Sequence, residues 1–220
     1  MKWFFELVSS SIGKKILMAV TGLFLILFIG QHLYGNLYLF AGEKAFNEHS
    51  ESMVSNVFIR IVEIFLFMAI IVHVANGIHI SFQNRASRPH KYSINRRTGM
   101  GSFSSKSMLI SGSFIFIFII VHLKNFFWEA RFGKSAAGES LYQIVTQTFT
   151  IPFYAGLYIV AMILLGIHLI HGFHSALRTL GIEHHRYTPI INGAGVFLSI
   201  ILAGGFASMP IYFFVKHWFI

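Results

Sequence analysis

The segment GIHLIHGFHSALR (166–178) ends a long apolar run that begins near Pro152. A run of this length is typical of a helix that crosses a membrane. Three histidines interrupt it, at His168, His171 and His174. An imidazole inside a bilayer is costly, so such a histidine usually binds a ligand or faces a polar partner. The segment therefore predicts a membrane helix that carries a functional site.

The composition extends this interpretation to the whole chain. Of the 220 residues, 55% are apolar and only 11% are charged, which is unusual for a water-soluble domain. We predict an all-α integral membrane protein with one domain over residues 1–220, in which four helices form a bundle and a fifth is additional. The five predicted spans cover about 16–40, 57–82, 108–128, 151–177 and 190–215.

The net charge of +9 is interpreted as a topology signal, not as a nucleic-acid footprint. Eleven Lys and Arg residues fall on one side of the predicted spans and six on the other. This bias predicts a cytoplasmic N-terminus and a periplasmic C-terminus in a bacterial inner membrane. The most basic segment, 83–107, is predicted to be a cytoplasmic linker. It either only sets the orientation or also docks a soluble partner.

The chain has no cysteine. Disulfides, cysteine-bound zinc, iron–sulfur clusters and a covalently attached C-x-x-C-H haem within this chain are therefore excluded.

An internal repeat relates the first two spans to the next two. TGLFLILFIGQH (21–32) matches SGSFIFIFIIVH (111–122), and VHVANGIH (72–79) matches IHLIHGFH (167–174). Both halves begin on the same side, so we expect a pseudo-two-fold axis along the membrane normal.

The repeat places four histidines in two layers. With a rise of about 1.5 Å per residue, His32 and His122 lie at one depth, and His73 and His168 lie nearer the cytoplasmic side. A haem iron in a helix bundle can take one imidazole from each of two facing helices. We therefore predict two haems b, with the ring nitrogen not bound to iron donating to a backbone carbonyl.

Glycines accompany these histidines. Gly77 and Gly172 each follow a histidine by four residues, one turn along the same face. Four more lie on the first and third spans: Gly22, Gly30, Gly35 and Gly112. They either leave room for a flat porphyrin or allow close helix packing.

The remaining span histidines lie nearer the cytoplasmic face. His79, His171 and His174 are interpreted as polar lining, either near haem propionates or snorkelling to the interface. His184 and His185 are predicted to be solvated.

In five motifs, the sequence resembles a known family, the di-haem cytochrome b membrane-anchor subunit of succinate dehydrogenase and fumarate reductase, of the single-anchor five-helix type. The motifs are HLYGNL (32–37), AGEKAFN (41–47), FIRIVEIF (58–65), VHVANGIHIS (72–81) and IHLIHGFHSALRTLG (167–181).

The resemblance implies a function. Such a subunit anchors a flavoprotein and an iron–sulfur subunit, and electrons pass between succinate or fumarate and a quinone, typically menaquinone. It also implies axial pairs, His73 with His168 for the proximal haem and His32 with His122 for the distal one. The complexes could pair as dimers within the lipid.

One position departs from this family. Some fumarate reductases of this type carry a glutamate for proton transfer two residues before the fourth-span haem histidine, where this chain has Gly166. We therefore do not expect that proton path. Glu63 lies well inside a span, and it is expected to pair with Arg60 or a helix end, with a proton role as the alternative.

Quinone chemistry is predicted beside the distal pair, in the connection GEKAFNEHSE (42–51). A quinone needs a group that exchanges protons, and Glu48 or Glu51 would serve. The alternative is a site near the proximal pair among His79, His174 and Arg178.

Three other functions fit parts of the pattern. One is a histidine-rich di-iron membrane enzyme, but histidines in two separate layers could not share one di-iron site. The others are a transporter with a histidine relay and a cytochrome b anchor for a hydrogenase or formate dehydrogenase.

Overall fold

The computed structural model describes residues 6, 10–86 and 100–219, without the side chains of residues 85 and 100–107. The described part contains no strand. Its helices are α1 (Ser11–Ala41), α2 (Glu43–Ser55), α3 (Val57–Ala86), α4 (Met100–His122), α5 (Trp128–Arg131), α6 (Leu141–Thr150), α7 (Pro152–Thr179) and α8 (Thr188–Phe219). A π-helical turn, Leu123–Phe127, joins α4 to α5.

Five stretches are long and apolar enough to cross a membrane. They are Ser11–Ala41, Val57–Asn84, Met108–Arg131, Pro152–Thr179 and Thr188–Phe219. These bounds differ from the sequence-predicted ones by at most five residues. The helices extend slightly beyond the apolar runs because a helix continues to satisfy its own backbone where the flanks become polar. The predicted all-α, multi-pass membrane fold is confirmed for the described part of the chain.

Helices α1, α3, α4 and α7 form the bundle. Neighbouring contacts join α1 to α3, α3 to α4, α4 to α7 and α7 back to α1. The pairs α1 with α4 and α3 with α7 are therefore diagonal. Helix α8 lies outside this ring and packs mainly against α7 and also against α1.

Two short helices cover one end of the bundle, which we call the α2/α6 end. The predicted connection 42–51 is not a loop, because Glu43–Ser55 forms α2 after a turn at Gly42, where φ is +101°. Phe46 on α2 is buried, as are Val145 and Phe149 on α6. Burial of these apolar side chains on the bundle stabilises helices too short to form alone.

The predicted linker 83–107 is shorter in the structure. Helix α3 continues through Ala86 and α4 already begins at Met100. The prediction for 87–99 lies outside the described residues. Whether this basic segment docks a partner or only sets the orientation stays a prediction.

Close contact between α7 and α8 depends on glycine. A Cβ on Gly195 would lie 2.5 Å from Cδ1 of Phe173 and 2.9 Å from Nε2 of His174. A Cβ on Gly166 would lie 3.2 Å from the Cβ of Ala203. The position where some relatives of this type were expected to carry glutamate is thus packed against α8.

Candidate functional site

The four predicted histidines meet in two pairs across the bundle. His32 on α1 and His122 on α4 have ring centroids 5.7 Å apart, with planes at 89°. His73 on α3 and His168 on α7 have ring centroids 6.5 Å apart, with planes at 65°. Each pair therefore joins diagonally opposite helices. The two pairs also relate equivalent helices of the repeat, as the expected pseudo-two-fold axis requires.

These spacings fit a metal held between two imidazoles. Since each metal–imidazole bond is about 2 Å long, two rings on opposite sides of one metal have centres about 6 Å apart. His122 adds a second observation, because its Nδ1 is buried and has no hydrogen-bond partner in the described structure. A buried polar atom without a partner is costly unless a ligand satisfies its site. The chemistry of the donor set, imidazole nitrogen alone, matches bis-histidine haem iron.

Hydroxyl groups hold the His73–His168 pair. Oγ1 of Thr21 lies 3.1 Å from Nδ1 of His73, and Oγ of Ser111 lies 3.2 Å from Nδ1 of His168. The expectation of a backbone carbonyl at this position is wrong for both residues, because a hydroxyl on the neighbouring helix is already within hydrogen-bond distance. Each hydroxyl lies on the helix that precedes its histidine in the same half of the repeat.

The His32–His122 pair has a different environment. The Nδ2 of Asn36 lies 3.4 Å from both ring nitrogens of His32, which is a long contact for a hydrogen bond. Phe28 and Phe206 pack against the His32 ring. This pair is thus surrounded mainly by aromatic side chains.

The glycines divide into several groups. A Cβ on Gly22 would lie 3.3 Å from Cε1 of His73, and one on Gly112 would lie 3.4 Å from Cε1 of His168. These two glycines let a helix backbone approach the imidazoles. Gly77 instead contacts Met18, whereas a Cβ on Gly172 would meet nothing within 4 Å. Open space beside Gly172 is compatible with a bulky group next to His168.

Two further glycines on α1 also differ, because one is in a packing contact and the other lies beside open space. A Cβ on Gly35 would lie 3.0 Å from Nε2 of His49, so this glycine serves packing between α1 and α2. Gly30 has open space beside it.

The π-helical turn follows His122 directly. It contains Asn125, whose buried Nδ2 interacts with the buried hydroxyl of Tyr158 on α7. The Tyr158 and His122 rings are 6.1 Å apart. π-Helical turns are rare and frequently occur at functional sites. The distal pair is therefore bordered by two buried polar side chains, Asn125 and Tyr158.

The histidines near the other end of the bundle do not gather at one point. His79 is exposed, and its Nε2 lies 2.9 Å from Nζ of Lys14. His174 faces α8, with Nε2 3.1 Å from the carbonyl oxygen of Asn192. Arg178 is paired with Glu183 at 3.4 Å and lines a shallow hollow with His174. His171 is half-buried, one turn from His168.

The predicted acidic residues occupy two kinds of surroundings. Glu48 and Glu51 are exposed on α2, and Glu48 lies 3.9 Å from Lys44. Glu63 is mostly buried and accepts hydrogen bonds from Arg60 at 2.8 Å and from Arg131 at 3.0 Å. The pairing expected for Glu63 with Arg60 is present, and Arg131 adds a second cation that ties α5 to α3.

Four site residues are not among those predicted from the sequence: Thr21, Ser111, Asn125 and Tyr158. A signal for the first two was present, because Thr21-Gly22 and Ser111-Gly112 open the matching segments of the repeat. For Asn125 and Tyr158 we find no such signal, since their burial depends on how α4 and α7 are rotated.

No protein-family model matches the chain, and no solved structure matches it. Among curated proteins, it is similar to the succinate dehydrogenase cytochrome b558 subunit of Bacillus subtilis (strain 168). The two sequences are 27% identical over 182 residues, which cover 82% of each chain. The similarity to a succinate dehydrogenase cytochrome b558 subunit thus accompanies five helices long enough to span a membrane and two facing histidine pairs.

Proposed function

We propose that this chain is the di-haem membrane anchor of a succinate:quinone oxidoreductase or quinol:fumarate reductase. In this role it conducts electrons between an iron–sulfur partner subunit and a quinone, typically menaquinone. The observation that carries the proposal is the presence of two histidine pairs, at 5.7 Å and 6.5 Å between ring centroids, on diagonal helices of one bundle. The name of the Bacillus subtilis relative supports it.

His73 with His168 and His32 with His122 would hold one haem b each. Haem b, when bound there, supplies one-electron transfer. The chain's own part is to orient the four imidazoles and to exclude water from them. The apolar bundle does the latter, since aromatic side chains such as Phe28, Phe118 and Phe206 pack against the distal rings.

The two pairs lie in separate layers. Thr21 contacts the proximal histidine His73, and His32 follows Thr21 by eleven residues on the same helix. Eleven residues of α-helix span roughly 16 Å. Ser111 and His122 show the same offset on α4. The bundle would therefore hold two electron carriers at different depths in the membrane.

The partner subunits would dock at the end of the bundle where α1 and α4 begin. The exposed Lys15 and the half-buried Lys14 lie there at the start of α1. In this orientation the N-terminus is cytoplasmic and the C-terminus is periplasmic. The exposed apolar side chains of α3, including Ile64, Phe65 and Met68, then face lipid.

Quinone exchange is proposed at the α2/α6 end, beside the distal pair. Glu48 and Glu51 are exposed there and could exchange protons with water. The buried amide of Asn125 and hydroxyl of Tyr158 make this side of the distal pair polar. The second location, among His79, His174 and Arg178, has less support because these side chains contact different neighbours.

The alternatives are distinguished by how the histidines are arranged. In the described part of the chain, no three His, Asp or Glu side chains converge as a di-iron site would require. A transporter with a histidine relay predicts a colourless protein. An anchor for another quinone-linked dehydrogenase or hydrogenase would share the haem sites and differ in its soluble partners.

The test is to purify the chain from membranes in mild detergent together with whatever co-purifies. We expect a red protein with b-type spectra, two haems per chain by pyridine haemochrome assay, and a flavoprotein and an iron–sulfur subunit alongside. A preparation that holds no haem would refute the proposal. A haem-containing preparation with hydrogenase or formate dehydrogenase subunits would support the other anchor function.

A further inference from the structure

Thr21 and Ser111 occupy equivalent positions in the repeat and make equivalent contacts. Each hydroxyl oxygen faces Nδ1 of a proximal histidine on the next span, at 3.1 Å for Thr21 and His73 and 3.2 Å for Ser111 and His168. Thr21 is almost fully buried and Ser111 is completely buried. Among the described residues, the hydrogen-bonding partners of these two hydroxyls are the imidazoles and carbonyl groups of their own helix.

Each hydroxyl has an acceptor for its single proton on its own helix. Thr21 donates to the carbonyl oxygen of Leu17 at 2.7 Å, one turn earlier on α1. Ser111 donates to the carbonyl oxygen of Met108 at 3.3 Å. A hydroxyl has one proton and two lone pairs, so an oxygen whose proton goes to the helix carbonyl can only accept from the imidazole. The proton of this contact must therefore come from the histidine Nδ1.

This arrangement selects one tautomer. With Nδ1 protonated and donating, Nε2 is the nitrogen that keeps a lone pair in both His73 and His168. The adjacent glycines make the contact feasible, because Gly22 and Gly112 let the helix backbone lie against Cε1 of the same rings. A side chain larger than hydrogen at either glycine would press on the imidazole.

We infer that Thr21 and Ser111 are positioning residues that commit Nε2 of His73 and His168 to the proximal iron and tune its redox potential. The inference rests on the proposed haem function. An Nδ1–H that donates to an acceptor makes the imidazole a more basic ligand, which favours ferric iron. Loss of the acceptor should therefore raise the midpoint potential of the proximal haem.

The distal pair provides an internal contrast. His122 has no hydrogen-bond partner at Nδ1, and His32 has only the long contacts to Asn36 in the described structure. The effect of the hydroxyls should consequently be confined to one of the two haems. A general disturbance of the bundle would shift the potentials of both haems.

The experiment compares T21V and S111A with wild type in the complex as purified from membranes. Both substitutions remove a hydroxyl at nearly constant volume. Ser199 offers a matched control, because it is buried on α8 and its hydroxyl donates to the carbonyl of Gly195 instead of facing an imidazole in the described structure. T21S keeps a hydroxyl at this position and serves as the conservative variant.

The readouts are haem content, optical redox titration and the low-spin ferric EPR signals. We expect T21V and S111A to raise the midpoint potential of one haem, by about 59 mV for each tenfold loss of its preference for ferric iron. The EPR signal of the same haem should also change. The other haem should keep its wild-type potential and EPR signal in T21V and S111A. Both haems should keep them in S199A and T21S. If T21V loses the proximal haem altogether, recovery in T21S also supports the inference.

Two results would overturn it. One is a wild-type complex with two haems whose potentials and EPR signals are the same in T21V and S111A. The other is haem loss in T21V that T21S does not restore. A wild-type complex without haem would instead refute the proposed function itself.

Discussion

The imidazoles of His32 and His122 face each other across the bundle at right angles, with centroids 5.7 Å apart. They belong to equivalent positions of the repeat, so each contributes half of one site. The His73–His168 pair repeats this relationship in a second layer. The two sites should therefore be lost independently of each other.

Replacement of any one of the four histidines by leucine is expected to remove one haem and leave the other. His32→Leu and His122→Leu should lose the same spectral component, and His73→Leu and His168→Leu the other, because in the proposed function each pair would share one iron. Haem content and reduced-minus-oxidised spectra at low temperature measure this. The pairing is wrong if His32→Leu and His73→Leu lose the same component. His184→Leu, at an exposed position outside the bundle, serves as the control.

Glu63 is expected to stabilise the junction of α3 and α5. It accepts from both Arg60 and Arg131 in a mostly buried position, so Glu63→Gln should cost about 1.5–3 kcal/mol, the range for hydrogen bonds to charged groups. Thermal unfolding in detergent, followed by intrinsic fluorescence, measures the loss. Lys44→Ala is the comparison, because the Lys44–Glu48 pair is exposed and should contribute less than about 1 kcal/mol. Equal stabilities for the two variants would contradict the assigned role of Glu63.

Gly195 should tolerate no side chain. An added Cβ would overlap Phe173 and His174 on α7, so Gly195→Ala is expected to destabilise the protein by about 1–3 kcal/mol through overpacking. Gly193→Ala on the same helix has open space and should be neutral or slightly stabilising. The difference in unfolding temperature between these variants tests the close packing of α7 and α8.

Glu48 and Glu51 are expected to matter for quinone but not for haem. Glu48→Gln or Glu51→Gln should lower quinone-linked turnover while turnover with an artificial dye stays unchanged, because only the former needs proton exchange at the α2/α6 end. Normal haem content is the required control. If both variants keep full quinone-linked rates, the site lies elsewhere, and variants of His79, His174 and Arg178 become the next measurement.

The four facing histidines could be predicted because helical rise is regular and successive spans alternate in direction. Counting residues from the polar flanks therefore assigns depth to His32 or His168 before any contact is known. The segment 42–51 was predicted as a connection and forms α2 instead. Its sequence has a weak apolar pattern, and Phe46 is buried only because α2 packs against the end of the bundle.

The sequence by itself determined the five spans, the repeat and the two histidine layers, because transfer of apolar segments into lipid and the pitch of a helix are local properties. Only the tertiary structure decided which side chains meet between helices. The hydroxyls of Thr21 and Ser111 reach His73 and His168, Arg131 reaches Glu63, and Gly166 meets Ala203. Such contacts depend on the rotation of each helix about its own axis, which packing against all its neighbours sets at once.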